Sequence, residues 1–297
     1  MRIALFGTGG VGGYIGANLC AKGDEITLVA RGDHLEAIRE RGLKVVEDNR
    51  EDTARPDAAV DEAGLKGTYD LVILSVKGYD IHRAVDALLP HTDANTIVLP
   101  LANGVEHFDT LAARLDAKVL TGCCYILSHI ASPGVIRKKG NVFAAVFGSH
   151  RHPEAVETVE RLFETAGLRS KTPADIETAV WKKYLFISAF ATLTSYYDTG
   201  IKPVYETYPD ETEALLEEIA AVARAKGIEI GEEVGKALQT ASGLPDSAST
   251  SMHLDFTQGK PTELEALSGY IVKEGETLGV DTPVMRKLYE ALKRRSG

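Results

Sequence analysis

Apolar positions in the first half of the chain come in short runs separated by amphipathic stretches. RIALF (2–6), EITLVA (25–30), LKVVE (43–47), DLVILSV (70–76), TIVLPL (96–101), KVLTGCCYIL (118–127) and NVFAAVFG (141–148) are rich in Val, Ile and Leu and predict strands. YIGANLCAK and HLEAIRERG fall between the first three runs and repeat their apolar residues at helical spacing. Strands that are apolar throughout, alternating with helices, predict βαβ units in a mainly parallel sheet covered on both faces. The last two runs lie closer together and suit a hairpin at one edge.

Past residue 170 the period changes. Thr172-Pro173-Ala174-Asp175 offers a capping hydroxyl, a proline at the first helical position and an acid in the first turn, which predicts a helix start. Helices are expected over 174–196, 209–226 ending at Gly227, 229–242, 261–278 ending at Gly279, and 283–295, with no strand among them. The predicted architecture is therefore α/β: a doubly wound sheet over 1–170, then an all-helical domain over 171–297. The acidic stretch PDETEALLEEIAAVARAK carries its Leu, Ile and Val residues on one stripe, so its charges form the solvated face of an amphipathic helix.

Composition narrows the function. With 297 residues, 44% of them hydrophobic, the chain can bury two cores. A net charge of −10 argues against a nucleic-acid or anionic-membrane surface. MRIALFG runs straight into a strand without the ordered regions of a signal peptide, and no apolar run is long enough to span a bilayer. Cys20, Cys123 and Cys124 form no spaced framework, which fits a reducing cytoplasm. His150 and His152 have no cluster of acids or cysteines to complete a metal site, and an inter-element loop is the simpler reading.

The chemistry-bearing signal is G-T-G-G-V-G at 7–12, directly after the first strand and opening the first helix. Glycines there let the backbone turn tightly and approach a pyrophosphate, whose charge is met by helix N-terminal amides. Gly7, Thr8, Gly9, Gly10, Val11 and Gly12 are thus candidate dinucleotide contacts of a Rossmann-type domain. The second strand ends at Ala30-Arg31, where an NAD enzyme would place a carboxylate for the ribose 2′-hydroxyl. A guanidinium suits a 2′-phosphate and favours NADP; the alternative is a surface arginine beside a helix capped by Asp33. Two further loops follow strands, Ser75-Val76-Lys77-Gly78-Tyr79 and Leu101-Ala102-Asn103-Gly104-Val105. Lys77 and Asn103 either contact cofactor and substrate or sit in a solvated loop and an ordinary Asn-Gly turn.

Together these residues resemble the ketopantoate reductase (2-dehydropantoate 2-reductase) family over nearly the whole chain. The resemblance rests on GTGGVG, Arg31, SVK (75–77), ANG (102–104), WKK (181–183), TSM (250–252) and TELE (262–265) in that order. It implies an N-terminal Rossmann domain and a helical domain with the active site between them. It also implies NADPH-dependent, cytoplasmic reduction of a 2-oxo acid, 2-dehydropantoate, to the 2-hydroxy acid pantoate on the pantothenate route. By position, Lys183 is the implied catalytic acid, with Glu263 as a further catalytic group that also lies at the cofactor. Ser251 and Asn103 are implied substrate contacts, Asn103 beside the nicotinamide, and Lys77 is implied near the cofactor. The family's reference members carry asparagines four and eight residues after the lysine, and here those positions hold Ile187 and Ala191. A reductase or dehydrogenase of the same family acting on another oxo or hydroxy acid is the alternative, and a non-catalytic NADP-binding regulator is a second one. A greasy helical domain is compatible with a homodimer. Lys182 and Lys183 stand about 100° apart on a helix, so only one can face the site; Lys182 is expected to face water.

Overall fold

A computed structural model describes residues 1–296 of the protein. The chain divides into two compact units, one made of Met1–Ala102 and His107–Ile176, the other of Asn103–Glu106 and the chain from Glu177 onward.

The first unit is the α/β part. β1 (Arg2–Phe6), α1 (Gly10–Leu19), β2 (Glu25–Val29), α2 (Gly32–Arg41), β3 (Leu43–Val46), β4 (Glu51–Ala54), β5 (Ala58–Val60), β6 (Leu71–Leu74), α3 (Ile81–Leu88) and β7 (Ile97–Pro100) follow in order. α4 (His107–Ala112), β8 (Lys118–Val119), β9 (Thr121–Ser132), β10 (Val135–Gly148), α5 (Pro153–Thr165) and β11 (Ser170–Lys171) complete it. Six strands form a parallel sheet in the order β5-β2-β1-β6-β7-β8. Apart from Arg2 at the start of β1, its central strands β1 and β6 are apolar at every position because both faces are covered. Ile3, Leu5, Leu71 and Ile73 point into one core, whereas Ala4, Phe6, Val72 and Leu74 point into the other.

LKVVE, NVFAAVFG and the part of KVLTGCCYIL beyond Val119, expected in this sheet, leave it. β3 pairs antiparallel with β4 and parallel with β10, which pairs antiparallel with β9 and parallel with β11. The predicted hairpin is thus present, in a second, mixed sheet. The cause is α1, which packs on β1 and β2 as well as on β3, β9 and β10. Two helix glycines allow this: a Cβ on Gly13 would lie 2.7 Å from Ile136, and one on Gly16 2.6 Å from Leu28.

The second unit is helical: α6 (Ile176–Tyr197, beginning at the boundary), α7 (Ile201–Thr207), α8 (Pro209–Ala225), α9 (Glu232–Gly243), α10 (Ser251–Thr257), α11 (Tyr270–Leu278) and α12 (Pro283–Ser296). Glu265–Gly269 winds as a π-helix that runs into α11. Among the described residues no strand follows Lys171. The short helices α7 and α10 are additional to the five the pattern predicts. The unit starts at Glu177 rather than 171, because β11 pairs with β10 and Ile176 seats against Gly148. Thr172 does not cap α6; its hydroxyl donates to Glu160 at 3.0 Å, and the helix begins at Ile176. Among the described residues no helix is long and apolar enough to cross a membrane.

Candidate active site

One set of candidate residues is the glycine loop between β1 and α1, in the first unit. Gly7 has φ +96°, and a Cβ there would lie 2.9 Å from both Ser75 C and Val76 N, so only glycine fits. Gly7 N and Thr8 N both donate to Val29 O, and Thr8 Oγ1 does the same at 2.9 Å, which staples the loop to the end of β2. Ser75 Oγ donates to Gly7 O at 2.8 Å. Nothing stands within 4 Å of where a Cβ of Gly9 would be, so the backbone is open on that side. An open glycine backbone at the start of a helix, with first-turn amides that have no intrahelical acceptor, fits a pyrophosphate. At Gly10, by contrast, a Cβ would run into Ser128 of β9, whose buried Oγ has no hydrogen-bond partner.

Arg31 is the residue preceding α2, and its side chain is 58% exposed. Its guanidinium pairs with Asp80 at 2.7 Å, so it is tied to the end of the Ser75–Tyr79 loop rather than adrift in solvent. Asp33 does not cap α2 through its side chain; it lies in the first turn, where an acid complements the helix dipole. Lys77 immediately precedes the short 3₁₀ turn Gly78–Asp80.

A second set of candidate residues lies in the helical unit. Lys183 is half-buried on α6, and its Nζ donates to Asn103 Oδ1 at 3.0 Å. Two residues 80 positions apart are thus brought together, and the Asn-Gly loop is more than a solvated turn. Lys182 faces the other way, pairing with Glu233 at 3.2 Å with its side chain 43% exposed. Glu263 is 2% exposed, so the acid of TELE is buried rather than solvated. Ser251 opens α10 and is exposed; the cap of that helix is Thr250, whose Oγ1 accepts from His253 N at 3.3 Å. Thr194, at the far end of the Lys183 row, meets Thr250 Oγ1 at 2.9 Å. His253 bridges Ser249 at 2.6 Å and Asp198 at 2.8 Å, bracing the end of α6 against the start of α10.

A neighbouring row of α6, not anticipated from the sequence, holds the π-helix that follows Glu263. Tyr184 Oη donates to Ala266 O at 3.0 Å and Leu267 O at 2.7 Å, and Ser188 Oγ donates to Leu267 O at 2.8 Å. Thr192 Oγ1 meets Ser268 Oγ at 2.7 Å. Burial pushes the Tyr184 hydroxyl far above its ordinary pKa, so it stays a donor. The i, i+4, i+8 spacing of three polar residues inside an apolar run was the available signal.

A doubly wound sheet with a glycine loop at its first crossover, followed by a helical unit that presents a half-buried lysine, defines a nicotinamide-dinucleotide-dependent oxidoreductase. Residues 3–152 match the family "Ketopantoate reductase PanE/ApbA" and residues 175–296 its C-terminal counterpart, and the chain belongs to the ketopantoate reductase family. It is 28% identical to the uncharacterized oxidoreductase YkpB of Bacillus subtilis (strain 168), over 98% of each chain. It is 30% identical to a 2-dehydropantoate 2-reductase of Halobacterium salinarum, over 99% of this chain and 98% of that one. Among solved structures, a PanE/ApbA family ketopantoate reductase of Ralstonia eutropha JMP134 superposes with a TM-score of 0.92 at 29% identity, covering 100% of this chain and 98% of the other.

Proposed function

We propose that the protein reduces a 2-oxo acid to the corresponding 2-hydroxy acid with NADPH, and that 2-dehydropantoate is the substrate, pantoate the product. The observation that carries this reading is the 3.0 Å contact of Lys183 Nζ with Asn103 Oδ1. It holds an ammonium donor in a fixed direction, in the unit that also buries Glu263.

A bound nicotinamide dinucleotide supplies the hydride; the chain supplies the binding groups and the proton. Gly7, Thr8, Gly9, Gly10, Val11 and Gly12 present backbone to the pyrophosphate, and Arg31 offers guanidinium N–H groups to a 2′-phosphate, which is why NADPH is preferred here to NADH. Lys77 lies on the adjoining loop and contributes at the ribose. As negative charge grows on the carbonyl oxygen, Lys183 Nζ stabilises it and delivers the proton. Asn103 fixes the direction of that ammonium and hydrogen-bonds the substrate. Glu263 keeps the Lys183 ammonium oriented and borders the cofactor, and Ser251 binds the substrate's carboxylate or hydroxyl. With this reading goes a cytoplasmic setting and a homodimer.

A second reading is favoured by Ile187 and Ala191, one and two turns beyond Lys183. Apolar side chains there give no hydrogen bonds to a hydroxylated substrate, and sites that bond substrate hydroxyls discriminate strongly through those bonds. They suit a 2-oxo acid with an apolar side chain. Consumption of NADPH and NADH with a panel of 2-oxo acids tests both readings. A kcat/KM highest for 2-dehydropantoate supports the first, one highest for an unhydroxylated branched or aromatic acid supports the second, and no turnover with any 2-oxo acid refutes both.

A further inference from the structure

The geometry points to His34 as a positioning residue for the dinucleotide: it sets the direction of the Gly9 amide in the glycine loop. This rests on the reading of that loop as the pyrophosphate site.

His34 lies in the first turn of α2, half-buried, three residues after Arg31. Its Nε2 is 2.8 Å from Thr8 O, and Gly134 N is 3.0 Å from its Nδ1. The partners fix the proton. Gly134 N–H can only donate, so Nδ1 accepts; Nε2 therefore carries the hydrogen and donates to the Thr8 carbonyl. Burial lowers the pKa of His34 from its ordinary 6.5, in keeping with a neutral ring in this bridge.

Thr8 O and Gly9 N–H belong to one planar trans peptide and point to opposite sides of it. A donor holding the carbonyl thereby fixes the amide, and it does so where the Gly9 backbone is open. The peptide before it is pinned in the same manner, with Ser75 Oγ on Gly7 O and Thr8 N on Val29 O. Two successive peptide planes are thus locked by side chains from two other elements. The second lock is anchored in turn at the β9–β10 turn, where Gly134 has φ +78° and a Cβ would lie 2.9 Å from Ala37 of α2. An amide aimed before the ligand arrives has no ordering cost left to meet on binding.

The role is tested with His34→Leu, which cannot bridge, and His34→Gln, whose carboxamide can accept from Gly134 and donate to Thr8. Fluorescence titration of wild type and variants with NADPH and with NADH is the readout. His34→Leu is expected to weaken both dinucleotides about tenfold and equally, the scale of one lost buried hydrogen bond at a shared pyrophosphate. The change should fall on KM for the dinucleotide rather than on kcat, and His34→Gln should recover most of it. His34→Leu binding as tightly as wild type overturns the proposal, as does a loss that His34→Gln leaves unrepaired. Should the variants fail to fold, imidazole ¹⁵N shifts of the wild-type protein decide it: a neutral Nε2–H ring at pH 7 supports the bridge and an Nδ1–H ring excludes it. Wild-type protein that binds neither dinucleotide refutes the reading of the loop itself, a result separate from any in the variants.

Discussion

Lys182 and Lys183 are the same residue type one step apart, and the helix alone divides their work. Lys183 turns inward to Asn103, whereas Lys182 turns outward to Glu233. Lys183→Ala is expected to lower kcat by about 10²–10⁴-fold, the usual contribution of a positioned general acid. The dissociation constant for NADPH should stay within a small factor, since the glycine loop lies in the other unit. Lys182→Ala, which removes only an exposed ion pair, should leave kcat near wild type; comparable losses in the two variants would take Lys183 out of the chemistry. At this scale the inward turn of Lys183 and the tight backbone turn at Gly7 were legible because each sits inside a local motif. His34 and Ser75 were not read as site residues: their contacts span 26 and 68 positions, and neither one's immediate neighbours announce the carbonyl it holds.

Helix α6 looks from its sequence like an apolar rod, yet one stripe of it is a ladder of hydroxyls. Tyr184, Ser188 and Thr192 meet Ala266, Leu267 and Ser268 in succession, along a π-helix whose wider turn begins two residues after Glu263. π-turns recur at functional sites, where they re-aim a side chain. Tyr184→Phe removes the donor to two buried carbonyls and should cost about 1–3 kcal/mol in urea unfolding. Ser188→Ala should cost less, and because both hydroxyls reach Leu267 O, the double variant should depart from the sum of the singles by more than about 0.5 kcal/mol. Strict additivity would mean that the hydroxyls act on the π-turn independently. Element types were legible from period alone, as Val- and Leu-rich runs became strands and 3.6-spaced stripes became helices. The start of α6 was misplaced because Thr172 found a better partner in Glu160 than in the helix amides, a tertiary competition no local cap rule contains.

The division into an α/β half and a helical half was plain in the sequence. The splitting of the first half into two sheets was not, because it depends on Gly13 and Gly16 admitting strands to opposite sides of α1. Each unit has cores of its own. Those of the first are built on the two faces of the parallel sheet, and that of the second joins Trp181, Leu185, Phe190, Leu216, Ile219 and Leu288 among others. Separate cores predict separable unfolding, so calorimetry should resolve two transitions. The glycine loop lies wholly in the first unit, and a ligand stabilises only the state that binds it. At a free concentration one hundred times its Kd, NADPH should therefore add about 2.7 kcal/mol to the first unit. That transition should rise by several degrees while the helical one moves little. If NADPH shifts only the helical transition, the dinucleotide draws its affinity from the helical unit and the assignment of the glycine loop has to be revised.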